Sequence, residues 1–445
     1  MNSKAEEAMI LMKKVELLAP AKNMKAIKAA LKNSDSVYFG IKGFNMREGA
    51  DNFEIKDLAN VVKYCHDRGK YAYLATNILI YDNELSDLRY ILESAAATEV
   101  DGVIVHDFAA IEIAKELGLP FHISTQCNVS NSIAAKFYEK LGADRVILAR
   151  ECSLEKIKQI KNSLKRMKVE AFVHGAMCTM VSGRCYFSAT VCGTPDKSAN
   201  RGRCTQPCRR KWKVFDLENN EFIYDGVRFL NSRDLCMVQH IPKMIEAGID
   251  CFKIEGRMRD PYYVDVVSRV YRQAIESYYN GTYNKKKVRY WLKELKKVFN
   301  RGFTTGFYFS RPTERDHQHK WALNLSHYRL IELGSIEKYD PESKMAQIKL
   351  TNGWIQKNME IVITGKKTDT YFKQRIYKIL MDGKKVFRTP KASENAPVLV
   401  QLKLKEPVKE DGQDKIYFFT ASTYKNRYLM KKDKKILNKK DIYRL

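Results

Sequence analysis

Seven of the ten cysteines in this chain lie between Cys178 and Cys251, and four of them frame one segment. They read Cys178-x6-Cys185, then Cys204-x3-Cys208 beside the glycine and arginines of Asn200-Arg201-Gly202-Arg203. In a chain expected in a reducing compartment, thiols this close read as metal ligands or redox groups before structural disulfides. Zinc favours short paired spacings such as C-x2-C, whereas loops of this length also suit a cubane iron–sulfur cluster, and the spacing leaves both open. Cys65, Cys127, Cys152 and Cys251 fall inside helix or strand patterns and read as buried apolar thiols. Around the four framing cysteines stand Arg47, Arg150, Arg203 and Arg257, whose guanidinium forks bind carboxylates two oxygens at a time. They point to a small anionic carboxylate substrate. His106, His174 and Glu255 are the candidates for proton transfer.

The elements that must position these groups alternate. Eight short β-branched or aromatic runs, at 15–18, 36–39, 71–75, 102–105, 120–123, 145–148, 170–173 and 250–254, are separated by amphipathic segments at 24–32, 57–68, 85–97, 107–117, 133–141 and 154–163. That alternation predicts βαβ crossovers, a parallel sheet and, with eight units, a closed (β/α)8 TIM-like barrel, with an open doubly wound sheet as the alternative. Active sites of such barrels gather at the C-terminal strand ends. Here those ends are polar: Asn45 and Arg47 follow the second strand, Asn77 the third, His106-Asp107 the fourth, Ser124-Thr125-Gln126 the fifth, Arg150 the sixth, His174 the seventh and Glu255-Gly256-Arg257 the eighth. Asn77 and Gln126 join the arginines as candidate substrate contacts, and Asp107 and Ser153 are predicted helix caps. The cysteine segment is an insertion after strand seven, on that same face.

Helices are predicted over 261–279 and 285–299, the second strongly basic. From residue 328 onward the texture changes to short alternating runs broken by Asp340-Pro341, Asn352-Gly353 and Asp382-Gly383, the pattern of a small antiparallel β-barrel domain. The organisation expected is an N-terminal extension at 1–14, a catalytic barrel at 15–320, a β-domain at 325–420 and a basic tail at 421–445. The formal charge is +27, from 79 Lys and Arg against 52 Asp and Glu, which favours polyanions and makes nucleic acid the leading partner. No run approaches the roughly 18 apolar residues that span a bilayer, and no leader is visible in the first fourteen residues, so a cytoplasmic protein is expected.

Several motifs together resemble the peptidase U32 family: Glu16-Leu17-Leu18-Ala19-Pro20-Ala21, Val37-Tyr38-Phe39-Gly40, His174-Gly175-Ala176-Met177-Cys178, Ser182-Gly183-Arg184-Cys185, Asn200 to Arg209, Ser232-Arg233-Asp234-Leu235-Cys236 and Lys253-Ile254-Glu255-Gly256-Arg257. The resemblance spans about residues 15 to 312, and the length and β-domain look most like the branch of tRNA hydroxylation proteins. It implies an RNA hydroxylase that makes 5-hydroxyuridine at the wobble position of tRNA, with prephenate-linked chemistry and a 4Fe-4S iron–sulfur cluster. It further implies Cys178, Cys185 and Cys204 as cluster ligands, with the fourth from Cys208 or Cys236. Lys22 replaces the glycine usual in the opening motif, and Cys192 is an additional thiol. Other branches hydroxylate ribosomal RNA, and the family name carries a rival function, proteolysis. The sequence holds no G-x-S-x-G and no H-E-x-x-H, and a cysteine-protease pair would have to be drawn from Cys178 and His174.

Overall fold

The protein is described from a computed structural model, over residues 14–212, 217–219, 230–319, 324–326 and 328–421. It forms two compact units that divide between Leu325 and Ser326. The extension at 1–13 and the basic tail from 422 onward lie outside the described residues.

In the first unit, strands β1 (Glu16–Pro20), β2 (Ser36–Gly40), β3 (Tyr71–Thr76), β4 (Gly102–Val105), β5 (Phe121–Ile123), β6 (Arg145–Ile147) and β7 (Lys168–Ala176) pair in parallel, each with the next. Two short strands, β8 (Asp234–Cys236) and β9 (Cys251–Ile254), follow the cysteine insertion. β9 is parallel to both β7 and β1 and closes the barrel of eight, so the closed alternative of the sequence reading holds. Nearly every strand residue is buried, because helices cover the outside while side chains fill the inside. Helices Met24–Ala30, Leu58–His66, Leu85–Ala97, Phe108–Glu116, Ser132–Lys140 and Leu154–Ser163 stand where the apolar periodicity put them. Asp107 accepts from the Ala109 amide at 3.0 Å and Ser153 from Lys156 at 3.3 Å, the predicted caps.

β8 was not predicted. β7 runs past the barrel rim, and β8 pairs with the overhang in the antiparallel sense, His174 opposite Cys236. β10 (Phe303–Thr304) lies parallel to β8, and a buried Arg301–Asp234 ion pair at 2.6 Å ties the flap down. Helix Pro261–Tyr279 packs behind it and sends Tyr271 into the overhang, where its hydroxyl donates to the Val173 carbonyl at 2.7 Å.

The second unit is an eight-stranded antiparallel sheet of β11 (Tyr328–Asp340), β12 (Met345–Leu350), β13 (Glu360–Gly365), β14 (Tyr371–Arg375), β15 (Ile379–Met381), β16 (Lys384–Val386), β17 (Val398–Lys403) and β18 (Asp414–Ala421). Its order is β14-β13-β18-β11-β12-β17-β15-β16. The sheet curls on itself: the Gln374 side chain of edge strand β14 donates to the Lys403 carbonyl at 2.9 Å and accepts from the Lys405 amide at 3.0 Å. Alternate residues such as Ile336, Ile348, Ile361, Ile363, Phe372 and Val400 enclose one apolar core, the period-two burial that their sequence pattern encodes.

Candidate functional site at the barrel mouth

The insertion is held down by its own motif. Gly202 has a φ of +73°, and a Cβ there would strike the backbone carbonyl of Asn45, so only glycine lets this turn lie against the loop after β2. The Gly202 carbonyl accepts from the Glu48 amide at 3.1 Å, and the Asn200 carbonyl from Leu79 at 3.3 Å. Arg201 pairs with the half-buried Glu84 and donates to the Leu79 carbonyl. At the far end buried Arg209 donates to Asn231 Oδ1 at 3.0 Å, to the Ser232 carbonyl at 2.7 Å and to the Met177 carbonyl. The segment is thereby fastened to the loops after β2 and β3 and to the end of β7, and roofs the C-terminal end of the barrel.

Beneath this roof is a cavity of about 590 Å³, a volume suited to a small molecule. Its lining contains Cys178, Cys185, Cys204 and Cys208 together with Arg47, Arg203, Arg257, Asn77, Gln126 and Glu255. Six arginines and two lysines face it against two glutamates, Glu48 and Glu255, so the chamber favours anions. Glu255 is the internal counter-ion: Arg47 donates to it at 2.9 Å and Arg150 stands 3.7 Å away. Burial pushes the Glu255 carboxyl up, but Arg47 and Arg150 outweigh burial and hold it below the usual carboxylate range. Buried Arg257 donates to Asn45 Oδ1 at 2.9 Å and to Asn52, while its Nε has no partner. Burial lowers its guanidinium to about 10, so it remains a cation at neutral pH. Arg150 lies 3.9 Å over the Phe172 ring and donates to Ser182 at 2.8 Å. Asn77 Nδ2 reaches Ser124 Oγ at 3.2 Å, and Gln126 Nε2 donates to the Asn77 carbonyl at 3.2 Å, which links two neutral amides of the lining.

The four thiols interact with one another. Burial raises the Cys204 thiol and the Gln206 amide, 3.3 Å from its sulfur, lowers it, while the neighbouring Cys178 and Cys185 raise it again. Cys208 is raised by burial and by the same neighbours, and lowered by Arg209. Thiols that oppose one another's ionisation are the ones a bound cation or cluster would deprotonate together. Among the described residues no three His, Cys, Asp or Glu side chains converge on a single ion position. Cys178, Cys185, Cys204 and Cys208 are nonetheless all part of the lining of the one chamber.

Three predicted site residues are not at the cavity wall. His174 and Cys236 face each other in the β7–β8 overhang, and both contact Tyr271, at 3.3 and 3.9 Å. Burial lowers His174 to about 4 and raises Cys236 to about 12, leaving both neutral. The overhang extends β7 beyond the barrel and turns these side chains into its packing, which the strand-end rule does not anticipate. Cys178 and His174 accordingly do not form a pair. His106 lies instead against Cys127, Nδ1 to Sγ 3.6 Å. Cys192 is exposed, 3.5 Å from Thr205 Oγ1. Lys22 faces Asp51 at 3.9 Å. Conversely, Tyr38, Ser182 and Lys253, which stand in the quoted motifs without an assigned role, line the cavity, as does Arg259, which no motif contains. Lys253 carried a legible signal, a lone charge inside the apolar strand Cys251–Ile254.

Residues 22–318 match the sequence profile of peptidase family U32. The chain is 43% identical over 368 residues to an uncharacterized protease of Methanocaldococcus jannaschii, covering 80% of this chain and 88% of that one. It is 35% identical over 417 residues to a collagenase of Porphyromonas gingivalis, covering 91% and 97%. It is 33% identical over 370 residues to the tRNA hydroxylation protein P1 of Bacillus subtilis, covering 81% and 86%. A barrel roofed by a cysteine-bearing insertion, with the matched residues running from Lys22 through the whole cavity lining, places this chain in the peptidase U32 family.

Proposed function

We propose that the protein hydroxylates RNA, converting wobble uridine of tRNA to 5-hydroxyuridine with prephenate as co-substrate. The observation that carries this reading is one small chamber walled by four thiols and by a cluster of guanidinium groups. A relative named for tRNA hydroxylation, with 86% of its length covered, supports the choice of reaction. Cys178, Cys185, Cys204 and Cys208 would hold a 4Fe-4S cluster, which when bound supplies electron transfer at the chamber wall. Arg47, Arg203 and Arg257 bind the carboxylates of the anionic co-substrate. Glu255 keeps Arg47 and Arg150 aligned until that anion arrives. Asn77 and Gln126 offer amides that match the edges of a uracil ring, and Phe172, Ile104 and Ile147 give the chamber apolar surface that sheds water. The net charge of +27 suits an RNA partner. Mass spectrometry of tRNA nucleosides from a deletion strain tests the reading: 5-hydroxyuridine derivatives should vanish and return with the wild-type gene but not with Cys204→Ser. Their persistence, with loss of a hydroxyl from ribosomal RNA, would transfer the activity to the ribosome.

The protease names of two relatives favour a second reading, peptide hydrolysis, for which the Cys127–His106 contact is the available nucleophile and base. Burial raises the Cys127 thiol to about 11 and lowers His106, so the pair rests as neutral thiol and neutral imidazole. An activated cysteine nucleophile has its thiol pKa depressed, the opposite shift. Gelatin cleavage by wild-type protein that disappears in Cys127→Ala would favour this reading over hydroxylation.

A further inference from the structure

The β-domain carries eighteen basic against twelve acidic side chains between residues 326 and 421, and seven against one between 373 and 391. Its whole positive excess therefore belongs to β14, β15, β16 and their connections. The same stretch presents two exposed aromatic rings, Tyr377 at 73% and Phe387 at 66% exposure, which a core role would have buried. Backbone bonds bring them together. The Lys357 amide donates to the Phe387 carbonyl at 2.8 Å and the Asn358 amide to the Ile376 carbonyl at 2.7 Å, so segment 354–358 runs between the two aromatics. Lys357, Lys378, Lys384, Lys385 and Arg388 are exposed around them, and the Arg388 guanidinium stacks 3.7 Å over Trp354.

From this juxtaposition we infer that the β-domain face formed by Tyr377, Phe387, Lys357 and Lys385 is a docking surface for single-stranded RNA, such as the unpaired loop of the substrate. Flat rings with an exposed face stack unpaired bases irrespective of sequence, and lysines interleaved between them follow the phosphates. A protein partner fits poorly, because interface cores are depleted in lysine. A duplex fits poorly too, since its bases are already stacked on one another. The inference rests on the reading of RNA as substrate and adds the place where the strand is held.

Fluorescence anisotropy of the full-length protein with an oligouridine of about 12 nucleotides tests it, over a range of salt concentrations. Tyr377→Ala with Phe387→Ala should weaken binding about tenfold or more and leave the salt dependence unchanged. Lys357→Gln with Lys385→Gln should flatten the slope of log affinity against log salt by about 1.4. Tyr377→Phe with Phe387→Tyr preserves both rings and should retain the affinity, which separates stacking from misfolding. Unchanged oligouridine affinity in the double alanine variant overturns the docking surface and leaves RNA hydroxylation standing. Wild-type protein that binds neither oligouridine nor total tRNA overturns both. Loss of binding in the variants, with both tRNA and ribosomal RNA nucleosides unaltered by gene deletion, sustains the surface and refutes the hydroxylation.

Discussion

Glu170 sits at the centre of the barrel, where its carboxylate accepts from Lys253 at 2.6 Å and from Arg145 at 3.0 Å. Burial pushes that carboxyl up, and the two cations outweigh burial and hold it below the usual range. Its contribution to stability is therefore complete above the unfolded carboxylate value of about 4.3 and is lost as pH falls through the lower folded value. Glu170→Gln leaves Arg145 and Lys253 facing each other without their shared anion, and should cost about 3–5 kcal/mol in urea unfolding at neutral pH. In the variant the acid-induced fall in stability should also be shallower. A second prediction separates the two candidate fourth ligands. If the proposed cluster is held by the chamber thiols, iron per chain after anaerobic purification should drop sharply in Cys208→Ser and stay at the wild-type level in Cys236→Ser, because Cys208 borders the cavity and Cys236 is packed against Tyr271. Iron lost from Cys236→Ser alone would give the position to the overhang thiol.

At the scale of elements, the insertion depends on a few contacts with the loops beneath it. Gly202→Val adds a Cβ where the Asn45 carbonyl stands and forces a β-branched residue to a φ of +73°. The expected outcome is limited proteolysis confined to residues 178–210 and an unchanged far-ultraviolet spectrum, since the barrel strands do not rely on this turn. Arg201→Ala should produce a milder form of the same defect by removing the partner of Glu84. Equal protease resistance in wild type and Gly202→Val would mean that the roof is held from elsewhere. Strands β8 and β10 escaped the sequence reading for a physical reason: β8 opens on a charged residue, Asp234, and β10 has two residues, so neither presents an apolar β-branched run, and their pairing is stabilised by Arg301 and Asp234 from distant positions in the chain.

For the whole molecule, the division at Leu325 predicts that residues 326–421 expressed alone fold with a cooperative thermal transition, because the apolar core cluster of this unit is built from its own residues. A flat melting curve for that fragment would tie its stability to the barrel. The sequence determined much of this molecule without help. Eight apolar runs separated by amphipathic stretches dictate a parallel barrel, since neither run nor stretch can bury its apolar surface except against the other, and alternating residues after 328 dictate the antiparallel unit. Polar strand ends identified Arg47, Asn77, Gln126, Glu255 and Arg257 as neighbours, because parallel strands in a barrel all end on the same face. Tertiary structure decided what lies within reach of what. Whether a histidine four residues before a cysteine shares its cavity depends on how far β7 overruns the rim. Which thiols line the chamber depends on Gly202, Arg201 and Arg209 folding the insertion back over the mouth. Those are contacts between residues far apart in sequence, whose geometry no local spacing encodes.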